Sequence, residues 1–168
     1  MEFGPQPTTW IFALDDRSTA MSLVETSSTT GPLFATPDSV DEVVATFPRS
    51  AGIPEDVAAL LDMSRKLLRT SVIHYEFAAI GVEKSLQALE LAVRIHLAAG
   101  RNVVFVKLIE RLKAEGALPL EDVDLIDTAR QLRNDLFAHP KTVMAFPLVM
   151  ATNLIRTSHR LSTALFPS

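Results

Sequence analysis

The chain has 168 residues, of which 48% are apolar and 21% charged, a composition typical of one soluble globular domain with a short appendage. No stretch approaches the ~20 continuous apolar residues of a membrane span, and the first ten residues lack the basic and apolar regions of a secretory signal. A cytoplasmic protein without membrane contact is therefore expected. The absence of cysteine excludes disulfides, thiolate metal ligands and a thiol nucleophile.

The net charge of −4 is unevenly distributed along the chain. Residues 1–48 carry seven acidic residues and one arginine, whereas residues 49–168 carry 13 acidic and 15 basic residues. Surfaces that bind nucleic acid broadly are strongly basic, so any contact with RNA or DNA is expected to be local.

Residues 1–50 are predicted to form an N-terminal extension of short strands or irregular structure. They are rich in Thr, Ser and Pro, and two short β-prone runs, 9–12 and 21–24, lie between turn-forming residues. A short helix is predicted over 39–46 with Ser39 as its N-cap, and a linker follows over 47–54.

Residues 51–168 are predicted to form a helical domain, because the apolar spacing becomes helical from Pro54 onward. The predicted helices run from Pro54 to about residue 70, where the chain bends or continues; from 71 to Gly100; from 103 to about 114, ending at Gly116; from Leu120 to His139 at the latest; and from about 146 to 165. Short connections between five helices predict a mainly α protein, an antiparallel four- to five-helix bundle with a small β-prone extension at its N-terminus.

The second of these helices is expected to be central, since it carries two apolar rows, one of which includes Ile80 and Ile95. Between the rows lies a polar stripe of Glu83, Gln87, Glu90 and Arg94. This stripe is interpreted either as a solvated face with a Glu90–Arg94 pair, or as a polar seam that faces the end of the Arg133 helix, with Glu90 orienting Arg133.

The candidate site is the segment RQLRNDLFAHP over residues 130–140. Arg133 lies at the edge of an apolar face, Asn134 follows it, and Pro140 forces the helix to end near His139. A histidine at a helix C-terminus lies at the negative end of the helix dipole, which favours its protonated form. Taken singly, Arg133 also fits a surface ion pair, Asn134 a backbone bond, and His139 an ordinary loop position.

An imidazole beside a guanidinium suits phosphate chemistry. The imidazole can take a proton from a ribose 2′-hydroxyl, and the guanidinium can stabilise the charge on the phosphorane without a metal or another cofactor. One such pair supplies a single acid–base group, so the complete reaction favours a two-fold homodimer that places two copies of the helix end in one cleft.

Other basic residues are candidate contacts for RNA phosphates: Arg130, Lys141, Arg156 and Arg160. Arg156 and Arg160 are expected to form a basic patch with His159 on the last helix, although such patches are usually only solvated. His74, His96 and His159 show no metal-ligand spacing, and no glycine-rich phosphate loop, G-x-S-x-G or HExxH motif occurs.

Over Arg133–His139 the sequence resembles the HEPN superfamily (higher eukaryotes and prokaryotes nucleotide-binding domains). The signature of that family is an Arg, commonly followed by a polar residue such as Asn, then four to six residues and a His near a helix end. Here five residues separate Arg133 from His139, one more than in the commoner form. Residues 75–97 are similar to the long helix that precedes the motif in the family, and the resemblance covers about 55–166.

The resemblance implies a helical bundle that dimerises through its motif-bearing helices and acts as a metal-independent endoribonuclease in phage defence or in a toxin–antitoxin system. Arg133 and His139 would be catalytic and Asn134 supporting, with RNA as substrate and an antitoxin or another protein as a further partner. Other members of the superfamily are non-catalytic dimerisation modules or bind RNA or nucleotides, and this chain fits that alternative too. In a third interpretation, the acidic N-terminal segment covers a neighbour's cleft as a built-in inhibitor.

Overall fold

The computed structural model of the chain describes residues 35–134 and 147–167. These residues form six helices and no strand: α1 (Pro37–Ala45), α2 (Glu55–Thr70), α3 (Glu76–His96), α4 (Phe105–Glu115), α5 (Leu120–Arg133) and α6 (Leu148–Ala164). The mainly helical fold is thereby confirmed, and the two predicted β-prone runs lie outside the described residues. No helix within the described ranges is both long enough and apolar enough to cross a membrane.

The N-cap of helix α1 lies three residues earlier than predicted. Thr36 is the N-cap, and its hydroxyl accepts a hydrogen bond from the Ser39 backbone N–H at 3.2 Å. Ser39 instead occupies the third helical position, where its hydroxyl accepts from the Thr36 N–H at 2.8 Å. The prediction of Ser39 as N-cap was wrong because a capping box is reciprocal, and Pro37, which suits a first helical turn, is already inside the helix.

The central helix, α3, is shorter than predicted at both ends. A turn over residues 71–75 separates it from α2, and the helix ends at His96 rather than near Gly100. Ala98 adopts a left-handed φ of 46°. The Ala99 N–H donates to the Arg94 carbonyl at 2.9 Å and the Ala98 N–H to the Ile95 carbonyl at 3.0 Å, which is the Schellman arrangement with alanine where glycine is usual.

The remaining helix ends agree more closely with the sequence. Gly116 ends α4 with a φ of 62°, as expected for a left-handed glycine cap. Pro119 and Pro147 occupy the positions just before α5 and α6, so the last helix starts at Leu148 rather than at 146.

Helix α3 is central, as predicted, and contacts α2, α4, α5 and α6. The helices approach closely at Gly81, where an added Cβ would lie 3.2 Å from the Ser64 carbonyl oxygen and 3.3 Å from Ile155 Cδ1. The second apolar row is not covered throughout, since Ile80 and Ile95 are each 39% exposed. A helix without a side chain at its crossing point lets α2 and α6 pack against α3 at short range.

The apolar interior forms two clusters along α3. The first joins the N-terminal half of α3 to α1, the end of α2 and the start of α6; it contains Ala35, Val40, Val43, Val44, Phe47, Leu68, Val72, Ala78, Val82, Leu86, Leu148, Ala151 and Ile155. The second joins the C-terminal half of α3 to the start of α2, to α4 and α5, and to the end of α6; it contains Val57, Leu61, Ala88, Leu89, Ala92, Val93, Leu97, Leu108, Ile109, Leu112, Leu118, Val123, Ile126, Leu161 and Leu165.

The pairing of helix ends follows from these clusters. Helix α2 runs antiparallel to α3 and α6, while α6 runs parallel to α3, with the His96 Nδ1 atom 3.1 Å from the Leu165 carbonyl oxygen. Helix α5 runs antiparallel to α6, because Asp122 near its start pairs with Arg160 near the end of α6. The C-terminal end of α5 therefore lies beside the first turns of α6.

Helix α1 falls within the predicted extension 1–50, yet it packs in the same core as the bundle. Val40 and Val44 are fully buried and Phe47 is 2% exposed. The linker that follows is also attached, since the Ser50 hydroxyl donates to the Phe166 carbonyl at 2.8 Å.

Candidate functional site

The predicted motif begins where α5 ends. Val123 and Ile126 are fully buried on the inner face of α5 and fix its rotation against α3. Arg133 is the last residue of the helix, and Asn134 is its C-cap, with an exposed side chain and an N–H that bonds to the Arg130 and Gln131 carbonyls. The side chain of Arg133 and the whole of His139 lie outside the described residues. Their predicted proximity therefore stays a prediction.

The polar stripe of α3 is ordered by hydrogen bonds along the helix. Glu90 accepts from Arg94 Nη2 at 2.7 Å and from Nε at 3.0 Å, and Arg94 also donates to the Val103 carbonyl at 2.9 Å. Gln87 donates to Glu83 at 2.9 Å. Glu90 is only 17% exposed, so this pair is better shielded from solvent than an ordinary surface pair. The predicted orientation of Arg133 by Glu90 involves a side chain outside the described part of the chain.

A cavity of about 250 Å³ opens between α3, α5 and α6, directly beside the end of α5. Leu132, the residue before Arg133, is part of its wall. Two apolar side chains of the wall, Leu125 and Met150, are 42% and 40% exposed. The described residues that line the cavity are Leu86, Leu89, Leu125, Thr128, Ala129, Leu132, Val149, Met150, Asn153, Leu154, Thr157 and Ser158.

Two of the four candidate phosphate contacts have carboxylate partners. Arg130 Nε donates to Asp127 at 2.7 Å, and this guanidinium holds the pKa of Asp127 below its ordinary value. Arg160 binds Asp122 with both terminal nitrogens, at 2.8 and 3.1 Å, and the hydrogen bond raises the pKa of Arg160. Lys141 lies outside the described residues.

Arg156 has a different environment. Its guanidinium carbon lies 5.6 Å from the centre of the Phe47 ring, and its buried Nε has no hydrogen-bond partner among the described residues. It therefore packs as a partly buried cation over an aromatic face, an arrangement that favours arginine.

His159 does not belong to a surface patch with Arg156 and Arg160, because it is fully buried. Ser64 Oγ donates to the Leu61 carbonyl at 2.7 Å, so it accepts from His159 Nε2 at 3.2 Å. Burial, and then the nearby Arg65 charge, lower the pKa of His159 to about 3. The side chain is thus neutral at pH 7. Its spacing of four from the buried Ile155 is the sequence signal that indicates an inward position.

The sequence patterns also gave no indication that Arg65 on α2 is buried, yet only 5% of it is exposed. It forms an ion pair with Asp62 and donates from Nη2 to the Pro48 carbonyl at 3.2 Å. Burial and the neighbouring Arg49 lower the pKa of Arg65. A second cavity of about 150 Å³ lies under the linker between α1 and α2, and its lining includes Pro48, Arg49, Asp62 and Arg65. The guanidinium holds the linker against α2, which is a structural role.

Within residues 35–134 and 147–167, no three His, Asp or Glu side chains converge in a way that could hold a metal ion. In comparisons with known proteins, no protein-family model, curated protein or solved structure matches this chain.

Proposed function

We propose that this chain is a HEPN-like, metal-independent endoribonuclease that acts as a homodimer in a bacterial defence or toxin-type system. The observation that carries the proposal is the position of the motif: its Arg133 ends a helix that is packed against the central helix of an all-helical bundle, beside an open cavity. The motif itself, Arg133-Asn134 with His139 before Pro140, supplies the chemistry.

The proposed reaction is a transesterification within RNA. His139 of one copy takes the proton of a ribose 2′-hydroxyl, and the 2′-oxygen attacks the adjacent phosphorus. Arg133 stabilises the charge on the phosphorane, and His139 of a second copy donates a proton to the departing 5′-oxygen. One P–O bond forms and one breaks, which leaves a 2′,3′-cyclic phosphate and a free 5′-hydroxyl. Asn134 supports the site through hydrogen bonds to the bound phosphate.

The charges on the described surface bear on substrate binding. Arg130 and Arg160 each have a carboxylate partner, so RNA phosphates would compete with Asp127 and Asp122 for them. Lys141, next to Pro140, would add a positive charge close to His139. Binding is therefore expected to be local to the motif and to weaken as salt rises.

The test is RNA cleavage in EDTA by the full chain and by two variants. Arg133→Ala and His139→Ala are each expected to lower the rate by about 100-fold or more, since each removes a group that acts in the transition state. Matched controls are Arg101→Ala and His74→Ala, at exposed positions outside α5 and outside the motif. Mass spectrometry should find cyclic phosphate ends. Cleavage that survives either motif substitution rules out this site.

A non-catalytic HEPN-like module that dimerises or binds RNA or nucleotides is the alternative. The observation that favours it is the pairing of Arg130 and Arg160 with carboxylates, which reduces the positive charge available to a polynucleotide. Binding of RNA or nucleotide without turnover, unchanged in His139→Ala, would support this function.

A further inference from the structure

The cavity between α3, α5 and α6 carries a second inference. With a volume of about 250 Å³, it lies just below the roughly 300–1,000 Å³ of sites for drug-sized ligands, so it suits one small group. Its α5 wall consists of Leu125, Thr128, Ala129 and Leu132, and the next residue after Leu132 is Arg133. The wall of the cavity therefore extends to the residue that precedes the proposed catalytic arginine.

Among the described residues, the side-chain donors still free in this cavity come from α6. Asn153 and Thr157 are half-buried, and neither side chain has a hydrogen-bond partner among the described residues. They lie four residues apart and hence on the same face of the helix. The two other hydroxyls of the lining are engaged as donors and can only accept from a ligand, since Thr128 donates to the Asp124 carbonyl and Ser158 to the Leu154 carbonyl, both at 2.9 Å.

The lining discriminates between classes of ligand. None of the described residues that line it is charged, so a phosphate group would find no partner for its charge among them. An aliphatic side chain from a partner protein would fill the apolar part, but it would leave the Asn153 amide covered and unpaired. A flat nucleobase satisfies both parts, because its faces pack against leucine and methionine while its edge offers donors and acceptors to an amide.

We infer that this cavity binds a nucleobase, with Asn153 as the residue that determines which base is accepted. The biological role of the pocket rests on the proposed ribonuclease function: the base next to the scissile phosphate enters the cavity while the phosphate lies at the end of α5. Thr157 provides a second hydrogen bond from the next turn of α6.

The test measures binding of adenosine, guanosine, cytidine and uridine to the full chain by equilibrium dialysis. Nucleosides carry no phosphate, so their binding is independent of Arg133 and His139. At least one nucleoside is expected to bind, with a preference among the four. Asn153→Leu is expected to lower the affinity for the preferred nucleoside by about fivefold or more, because one hydrogen bond is lost. Ala129→Met, which fills the cavity, should abolish binding of all four.

The matched control is Asn102→Leu, at an exposed position between α3 and α4, which should bind like the unsubstituted chain. No binding of any nucleoside by the unsubstituted chain would overturn the inference, and so would binding that both cavity variants retain. The proposed function is tested separately. If nucleosides bind but the chain does not cleave RNA, or if His139→Ala still cleaves RNA, the proposed ribonuclease site is contradicted while the inferred base-binding cavity is not.

Discussion

The segment that joins α1 to α2 contains Phe47 and Pro48. Three side chains from α2 and α6 contact these two residues: Arg65, Arg156 and His159. The centres of the Phe47 and His159 rings lie 5.3 Å apart, and the guanidinium carbon of Arg156 lies 5.6 Å from the centre of the Phe47 ring. Each of the three side chains has one buried nitrogen without a hydrogen-bond partner among the described residues: His159 Nδ1, Arg65 Nε and Arg156 Nε. Burial, together with the nearby Arg65 charge, keeps the His159 imidazole neutral, because a protonated ring could not be hydrated there.

The neutral state of His159 makes stability depend on pH. Its pKa is about 3 in the folded chain and about 6.5 when unfolded. The unfolded chain therefore binds an extra proton below pH 6.5, and the stabilising contribution, complete above that pH, is lost as the pH falls toward 3. We expect the free energy of unfolding to drop by about 2–3 kcal/mol between pH 6 and pH 4 from this group alone.

Urea unfolding of the full chain at pH 4, 5, 6 and 7 measures this effect. Carboxylates also titrate in this range, so the comparison with His159→Gln isolates the histidine. That variant should lose less stability on acidification than the unsubstituted chain, whatever its stability at pH 7. His74→Gln, at an exposed position, is the control. Equal losses in the two chains between pH 6 and pH 4 would show that His159 does not titrate as the structure requires.

At the scale of helices, Gly81 determines how closely α2 and α6 approach α3. We expect Gly81→Val to lower the free energy of unfolding by about 1–3 kcal/mol, since its side chain would press on the Ser64 carbonyl and on Ile155. Gly100→Val is the matched control, because no atom lies within 4 Å of a Cβ added there. Thermal and urea unfolding measure both; equal stability of the two variants would contradict the close packing at Gly81.

The helices also show what local sequence reveals about their boundaries. Gly116 is a glycine at a left-handed cap, and its position was predictable from the residue type. Ala98 also has a left-handed φ although it is not a glycine, so no residue type marks the end of α3. The prediction therefore placed that end at the nearest glycine, Gly100. Thr36 was missed for a related reason, since two hydroxyl residues three apart, Thr36 and Ser39, both fit a cap until their reciprocal bonds are known.

At the scale of the whole molecule, α1 sets where the N-terminal segment can be removed. We expect a chain of residues 49–168 to lose cooperative unfolding and a chain of 35–168 to retain it. Burial of Val40, Val44 and Phe47 contributes about 1.5–3 kcal/mol each, and their sum approaches the total stability of many domains. Circular dichroism during thermal unfolding compares the two. A 49–168 chain as stable as 35–168 would show that α1 adds nothing to the core.

The same boundary sharpens the test for inhibition by the acidic N-terminal segment. Removal of residues 1–34 leaves every described contact of α1 in place, whereas removal of 1–48 would expose Leu68 and Ile155 and confuse loss of fold with loss of inhibition. If the segment covers a neighbour's cleft, RNA cleavage by 35–168 rises above that of the full chain. Unchanged cleavage disposes of that interpretation.

The sequence alone determined the helical class, the central position of α3 and the location of most helices, because apolar spacing, proline and glycine act over a few residues. It also identified Arg133, Asn134 and His139 as a candidate site. Only the tertiary structure decided that His159 and Arg65 are buried, that Arg160 pairs with Asp122 across two helices, and that a cavity opens beside the end of α5. These features depend on which helix faces which across the core, and no local spacing encodes that relation.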